Sequence, residues 1–190
     1  MEQTQAILLR KTPWSETSLI ITWLTEQFGA VRTVARGARK PGSSFAGKLD
    51  LFFRADISFS LSRRGDLHTL CEAGVVSAFD VSRAGSAGFY LAAYFAELSG
   101  QAVPSMHPAA EIFDLLDRAI RYLQREPASE KALNHFEREM CRILGVHDAA
   151  GVVTSLQGLA SLCGGIPRSR AAALSFLAGK NPLALKGPPL

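Results

Sequence analysis

The chain has 190 residues, 47% hydrophobic and 20% charged, with 21 Lys and Arg against 17 Asp and Glu. This composition excludes a collagen, a fibre and a wholly disordered chain, and the length allows one large domain or two small ones. No stretch reaches the ~18 consecutive apolar residues of a spanning helix, and Met1-Glu2-Gln3-Thr4-Gln5 lacks the basic-then-apolar form of a signal peptide, so a cytoplasmic protein is expected.

Residues 5 to 72 carry short runs of strand length. Gln5 to Lys11, Ser18 to Thr25 and Ala30 to Arg36 are bounded by turn formers, among them Pro13-Trp14-Ser15, Phe28-Gly29 and Gly37. From Leu51 to Leu61, Leu51, Phe53, Ala55, Ile57, Phe59 and Leu61 alternate with Phe52, Arg54, Asp56, Ser58 and Ser60, which predicts a strand with one apolar row turned inward. Arg63-Arg64-Gly65-Asp66 supplies a turn before a fifth strand, Leu67 to Glu72. Strands this short must close on themselves or leave long unpaired edges, so a five-stranded OB-like barrel is expected. Trp23 lies within a strand and reads as core, whereas Trp14, beside Pro13 and Ser15, reads as a surface candidate.

From about residue 85 the period becomes helical. Gly85 to Val103, with Phe89, Ala92, Ala93, Tyr94, Phe95 and Leu98, predicts a buried helix. Pro108 suits a first helical turn, and Ile112, Leu115, Leu116, Ala119, Ile120 and Leu123 follow at the spacing of one helix face. Ser129 is the expected N-cap of a third helix, with Leu133, Phe136, Met140, Ile143 and Leu144 on one stripe and Gly145 just past its end. Two shorter helices, Ala149 to Leu162 and Ser169 to Leu177, flank the breaker Cys163-Gly164-Gly165-Ile166-Pro167. The fold class is therefore α+β, an all-β domain followed by an all-α one: an OB-fold over residues 1–80, a helical domain over 81–180, and an extended tail over 181–190 with Pro182, Pro188 and Pro189.

The net charge is +4, unevenly placed. Between residues 32 and 64 stand Arg32, Arg36, Arg39, Lys40, Lys48, Arg54, Arg63 and Arg64 against Asp50 and Asp56, so eight minus two leaves +6 there and −2 elsewhere. Such an excess suits a surface that tracks phosphates; a solvated loop is the bland alternative. Gly37 to Gly42 spells G-x-x-x-x-G, yet Ser43 stands where a phosphate-binding loop needs Lys, and strand-like residues resume at Leu49 in place of a helix. What the loop offers is cations with Phe45 among them, a ring that stacks on bases or lids the barrel. Arg54, mid-strand, lines a binding face or pairs with Asp56 or Asp50, and Asp114 and Asp117, accompanied by Arg118 and Arg121, read as a solvated helix face. His68, His107, His135 and His147 lack mutual metal spacing, and Cys71, Cys141 and Cys163 form no C-x-x-C pair, so reduced thiols without metal or cofactor are expected.

Three ordered stretches, Pro13-Trp14-Ser15-Glu16-Thr17-Ser18-Leu19, Leu24-Thr25-Glu26-Gln27-Phe28-Gly29 and Val34-Ala35-Arg36-Gly37-Ala38-Arg39-Lys40, resemble the RecO family of DNA-repair proteins. A looser likeness continues in Phe136-Glu137-Arg138-Glu139-Met140-Cys141-Arg142-Ile143-Leu144-Gly145. The resemblance implies an N-terminal OB-fold, a C-terminal helical domain and a recombination mediator without catalytic residues. Such a mediator binds ssDNA and dsDNA and anneals complementary strands. With a RecR partner it helps load the recombinase, RecA, onto DNA coated by single-strand-binding protein. Arg36, Arg39 and Lys40 match the family's basic loop and are the first DNA-binding candidates, followed by Lys48, Arg32, Arg63 and Arg64; Glu16 is expected to tie the loop after the first strand. Many members hold zinc through four cysteines where this chain has only Cys163, so no zinc is expected. The chain is also short for the family, implying a contracted helical domain. Its Arg121, Arg125, Arg138 or Arg142 would meet the acidic tail of single-strand-binding protein. The competing expectation is a generic OB-fold module for single-stranded nucleic acid with a helical scaffold or dimerisation domain.

Overall fold

The computed structural model describes residues 1–146 and 155–180. The expected tail, the start of the helix expected from Ala149, and His147 lie outside them. Five strands, β1 (Glu2–Pro13), β2 (Leu19–Thr25), β3 (Gly29–Ala35), β4 (Arg54–Ser60) and β5 (Leu67–Ser77), precede five helices, α1 (Val81–Ala102), α2 (Ala110–Leu123), α3 (Glu130–Ile143), α4 (Ser155–Leu162) and α5 (Ser169–Leu177).

The strands close into a barrel in the order β1-β2-β3-β5-β4, with β3 and β5 parallel and every other pair antiparallel. This is the OB topology expected from the pattern. Alternation fills the interior: Ala6 and Leu8 from β1, Ile21 and Trp23 from β2, Val31 and Ala35 from β3, Ala55, Ile57 and Phe59 from β4, and Leu70 and Ala73 from β5 form one core. Trp23 is core, as its place in a strand suggested, and its indole Nε1 donates to Thr33 Oγ1 at 2.9 Å, which satisfies both buried polar groups.

The fourth strand is shorter than the alternation implied. Phe52 has φ +64, and its N–H bonds the Leu8 carbonyl at 2.8 Å while Leu8 N–H bonds the Phe53 carbonyl at 3.0 Å. That left-handed residue resets the pleat, so Phe52 is buried in place of Phe53, and Leu61 lies exposed beyond the strand.

The chain divides by contact into two compact units, the first comprising Met1–Phe79 with Ser99–Asp117, the second Asp80–Leu98 with the described residues from Arg118 on. In the first unit, Ala30 N–H bonds the Pro104 carbonyl and Ala109 N–H the Glu26 carbonyl, seaming the β2–β3 turn to residues 104–109. Gly29, at φ +60, sits in that seam, where a Cβ would lie 2.4 Å from the His107 carbonyl oxygen; only glycine fits. Asp117 is buried and pairs with Arg54 at 3.1 Å, which corrects the solvated face expected for it.

In the second unit, α3 begins where Ser129 Oγ accepts from Ala132 N at 3.2 Å, the expected cap. It ends at Gly145, φ +69, with Gly145 N bonded to the Arg142 carbonyl and Val146 N to the Cys141 carbonyl, a Schellman motif. Leu133, Phe136 and Met140 are buried, Phe136 stacking on Phe95 of α1 at 3.9 Å. Helix α1 is interrupted at Gly85 (φ 66). Among the described residues, no helix is long and apolar enough to cross a membrane, and no group of three or more His, Cys, Asp or Glu could hold a metal.

Candidate nucleic-acid interface

Three loops meet around a groove of about 590 Å³ lined by Trp14, Ser15, Thr17 and Ser18 from β1–β2, Val34, Arg36, Gly37 and Lys40 at the start of β3–β4, and Ser62, Leu67 and Thr69 around β4–β5. The β1–β2 loop is tight. Trp14 N–H bonds the Ser18 carbonyl at 3.0 Å, and Ser15 Oγ accepts from Thr17 N at 3.4 Å and Ser18 N at 3.2 Å. The turn leaves Trp14 62% exposed, in keeping with its surface expectation. Glu16, expected to tie this loop, is exposed without a side-chain bond among the described residues; Ser15 ties it instead, because its short hydroxyl reaches the local amides.

The basic loop is locked onto the first. Arg39 N donates to the Thr17 carbonyl and Arg39 Nη1 to the Ser15 carbonyl, each at 2.9 Å, while Gly37 N donates to Ser18 Oγ at 3.3 Å. Arg39 thus rivets two loops together, whereas Arg36 and Lys40 are exposed and make no side-chain bond or ion pair among the described residues. Further along, the loop is a succession of turns, Ser43 N to the Lys40 carbonyl, Ala46 N to that of Ser43 and Lys48 N to that of Phe45. Phe45 is 8% exposed and packs in the barrel core, so of its two readings it takes the lid and offers no ring to a base.

The other candidates separate. Arg63 and Arg64 lie exposed in the β4–β5 turn beside Ser62. Arg32 pairs with Asp66 at 2.9 Å, which holds the Asp66 carboxyl below its ordinary range. Lys48 lines a different groove in the company of Glu26, Asp56 and Glu72. Arg54 pairs with neither Asp56 nor Asp50; besides Asp117 it donates to Gln5 Oε1 and lies over the Phe113 ring. Asp50 is held by Lys11 at 2.6 Å.

His68 supports the β4–β5 turn: its Nδ1 accepts from Ser62 N at 3.2 Å, its ring stacks on Phe59, and its buried Nε2 has no partner among the described residues. Burial pushes its pKa below 6.5, only partly opposed by Asp66. The unfolded chain therefore takes up a proton that the folded one resists, so the His68 contribution is present above the ordinary histidine pKa and is lost as pH falls through the depressed folded value. Urea unfolding at about pH 7.5 and about pH 5.5 is expected to show lower stability at the acid value, and His68→Gln to reduce that difference.

In a second groove, of about 660 Å³ and within the helical unit, Arg118, Arg121, Tyr122, Arg125 and Glu126 come together; Arg142, named with Arg121 and Arg125 from the sequence, pairs with Glu139 at 3.0 Å.

A closed barrel with parallel β3 and β5, followed by helices, places the chain among OB-fold proteins with a helical C-terminal part. Residues 1–79 match the family model described as recombination protein O N terminal. Similar relatives are the DNA repair protein RecO of Syntrophus aciditrophicus, 29% identical over 75% of this chain and 55% of the relative, and that of Rhodopirellula baltica, 33% identical over 74% and 52%. The DNA repair protein RecO of Anaeromyxobacter dehalogenans is 32% identical over 83% of this chain and 59% of the relative. The chain is similar to the RecO family through these matches, and it spans between half and three fifths of the length of these curated relatives.

Proposed function

We propose that this chain is a recombination mediator in DNA repair that binds single- and double-stranded DNA and anneals complementary strands, working without covalent catalysis. The observation that carries the proposal is the juxtaposition of exposed Trp14 with Arg36 and Lys40, unpaired among the described residues, in one groove at the loop end where OB barrels take oligonucleotides. The cations take phosphates and the indole face takes a base, a pairing that tolerates any sequence. Arg63 and Arg64 extend the cationic track, Arg39 holds the two loops in position, and Arg32 and Lys48 contribute less because acidic neighbours offset them. In the cytoplasm, at the bacterial nucleoid, a RecR partner would join the chain in loading RecA onto strands coated by single-strand-binding protein, whose acidic tail would meet the arginines of the helical groove.

The test is strand annealing by the full chain, on bare complementary oligonucleotides and on strands coated with single-strand-binding protein. Annealing on both is expected, and Trp14→Ala should lower single-strand affinity by about 1–3 kcal/mol, the worth of one stacked base. DNA binding without annealing or engagement of the coated strand would favour the generic OB-fold module, and absence of DNA binding would overturn both.

A further inference from the structure

We propose that the barrel carries a second recognition surface, a groove over β1, β4 and β5 that takes arginine or lysine side chains from a basic polypeptide segment of a partner protein. Strand register builds its floor. Gln3 pairs with Ser58 and Ser58 with Glu72, while Gln5 pairs with Asp56 and Asp56 with Gly74, so two cross-strand rows present polar side chains away from the core positions Ile57 and Ala73. The space over them, about 1110 Å³, is also bordered by Glu26 of the β2–β3 turn and Lys48 of the β3–β4 loop.

Two independent features point to a cationic occupant. Three carboxylates, Glu26, Asp56 and Glu72, line the groove without an ion pair among the described residues, against the single cation Lys48. Ser58, which borders the same groove, is 4% exposed, and its Oγ has no hydrogen-bond partner among the described residues. A buried hydroxyl left unbonded is costly, and a guanidinium or ammonium entering the groove would donate to it and to the carboxylates together. The same carboxylates repel phosphate, which separates this surface from the Trp14 groove.

The test uses the full chain and a fluorescein-labelled peptide of alternating Arg and Gly. Its anisotropy is expected to rise on binding. Asp56→Asn with Glu72→Gln should weaken that binding about tenfold, and Ser58→Val should weaken it without a change in net charge. Glu16→Gln with Glu126→Gln, equal in charge but outside the groove, should leave it unchanged. Cys71, exposed on the groove lining, is a local reporter: its reaction with an aromatic disulfide should slow when the peptide is bound. Thermal unfolding of each variant separates lost binding from lost folding. Absence of binding, equal binding by the Asp56 and Glu72 variant, or an equal loss in the Glu16 and Glu126 variant would overturn the proposal. DNA binding by the Asp56 and Glu72 variant should persist, so failure here leaves the mediator proposal standing.

Discussion

Reversing Arg36 and Lys40 together, Arg36→Glu with Lys40→Glu, is expected to weaken DNA binding for every sequence alike. Both side chains are exposed, unpaired among the described residues, and border the groove beside Trp14. Contacts to phosphates position a strand without reading it, so their loss carries no sequence preference. If each side chain neutralises one phosphate, their removal should flatten the slope of log K against log salt for a single strand by about 1.4, from roughly 0.7 per contact. Titrations of several unrelated oligonucleotides across a salt series make the measurement. An unchanged slope would remove these two residues from the interface. Arg39→Ala is expected to behave differently, because the Arg39 guanidinium acts through the Ser15 carbonyl: its loss should weaken binding chiefly by loosening the Trp14 loop, and Arg39→Ala should add little to Trp14→Ala.

Glu137→Ala is expected to destabilise the helical unit by about 3 kcal/mol, the lower end of the cost of breaking a buried pair, because Arg170 keeps some access to water. Glu137 on α3 accepts from Arg170 Nε of α5 at 2.6 Å and from the Tyr94 hydroxyl of α1 at 2.7 Å, so one carboxylate fastens three helices. Burial and the adjoining carboxylate push the Tyr94 phenol well above its ordinary pKa, and the Glu137 hydrogen bond raises that of Arg170. Removing the acid strands a buried hydroxyl and a largely buried cation; removing all three polar groups, in Tyr94→Phe, Glu137→Met, Arg170→Met, should restore much of the stability. Urea unfolding of the single and triple variants measures both. A Glu137→Ala variant as stable as the parent would show that the pair offsets only its own desolvation.

These two sites also mark where sequence reading succeeds and where it stops. The barrel was legible because burial alternates along its strands and one turn former punctuates each. The slip from Phe52 to Phe53 came from a left-handed residue that no pattern of side chains announces. Asp117 resembled an ordinary helix-face acid because its partner, Arg54, stands 63 residues away, and the pairing of Glu137 with Arg170, 33 residues away, has no local signature. The cationic cluster was visible as local charge, but a strand sends successive residues to opposite faces and a loop distributes them among several neighbours. Arg54 therefore turns to Asp117, Arg32 to Asp66 and Lys48 to an acidic groove, leaving Arg36 and Lys40 beside Trp14. That meeting of residues 14, 36 and 40 is held by bonds from Gly37 and Arg39 to Ser15, Thr17 and Ser18, contacts between loops that neither spacing nor composition encodes.

Phe45 gives the basic segment a property its glycines disguise. With that ring anchored among the strands and successive backbone turns on either side, the stretch surrenders its conformational freedom when the barrel folds, before any polyanion arrives. On the proposed reading, docking of a strand would have little left to freeze, so the attraction of each cation would go into holding the strand and not into ordering the protein.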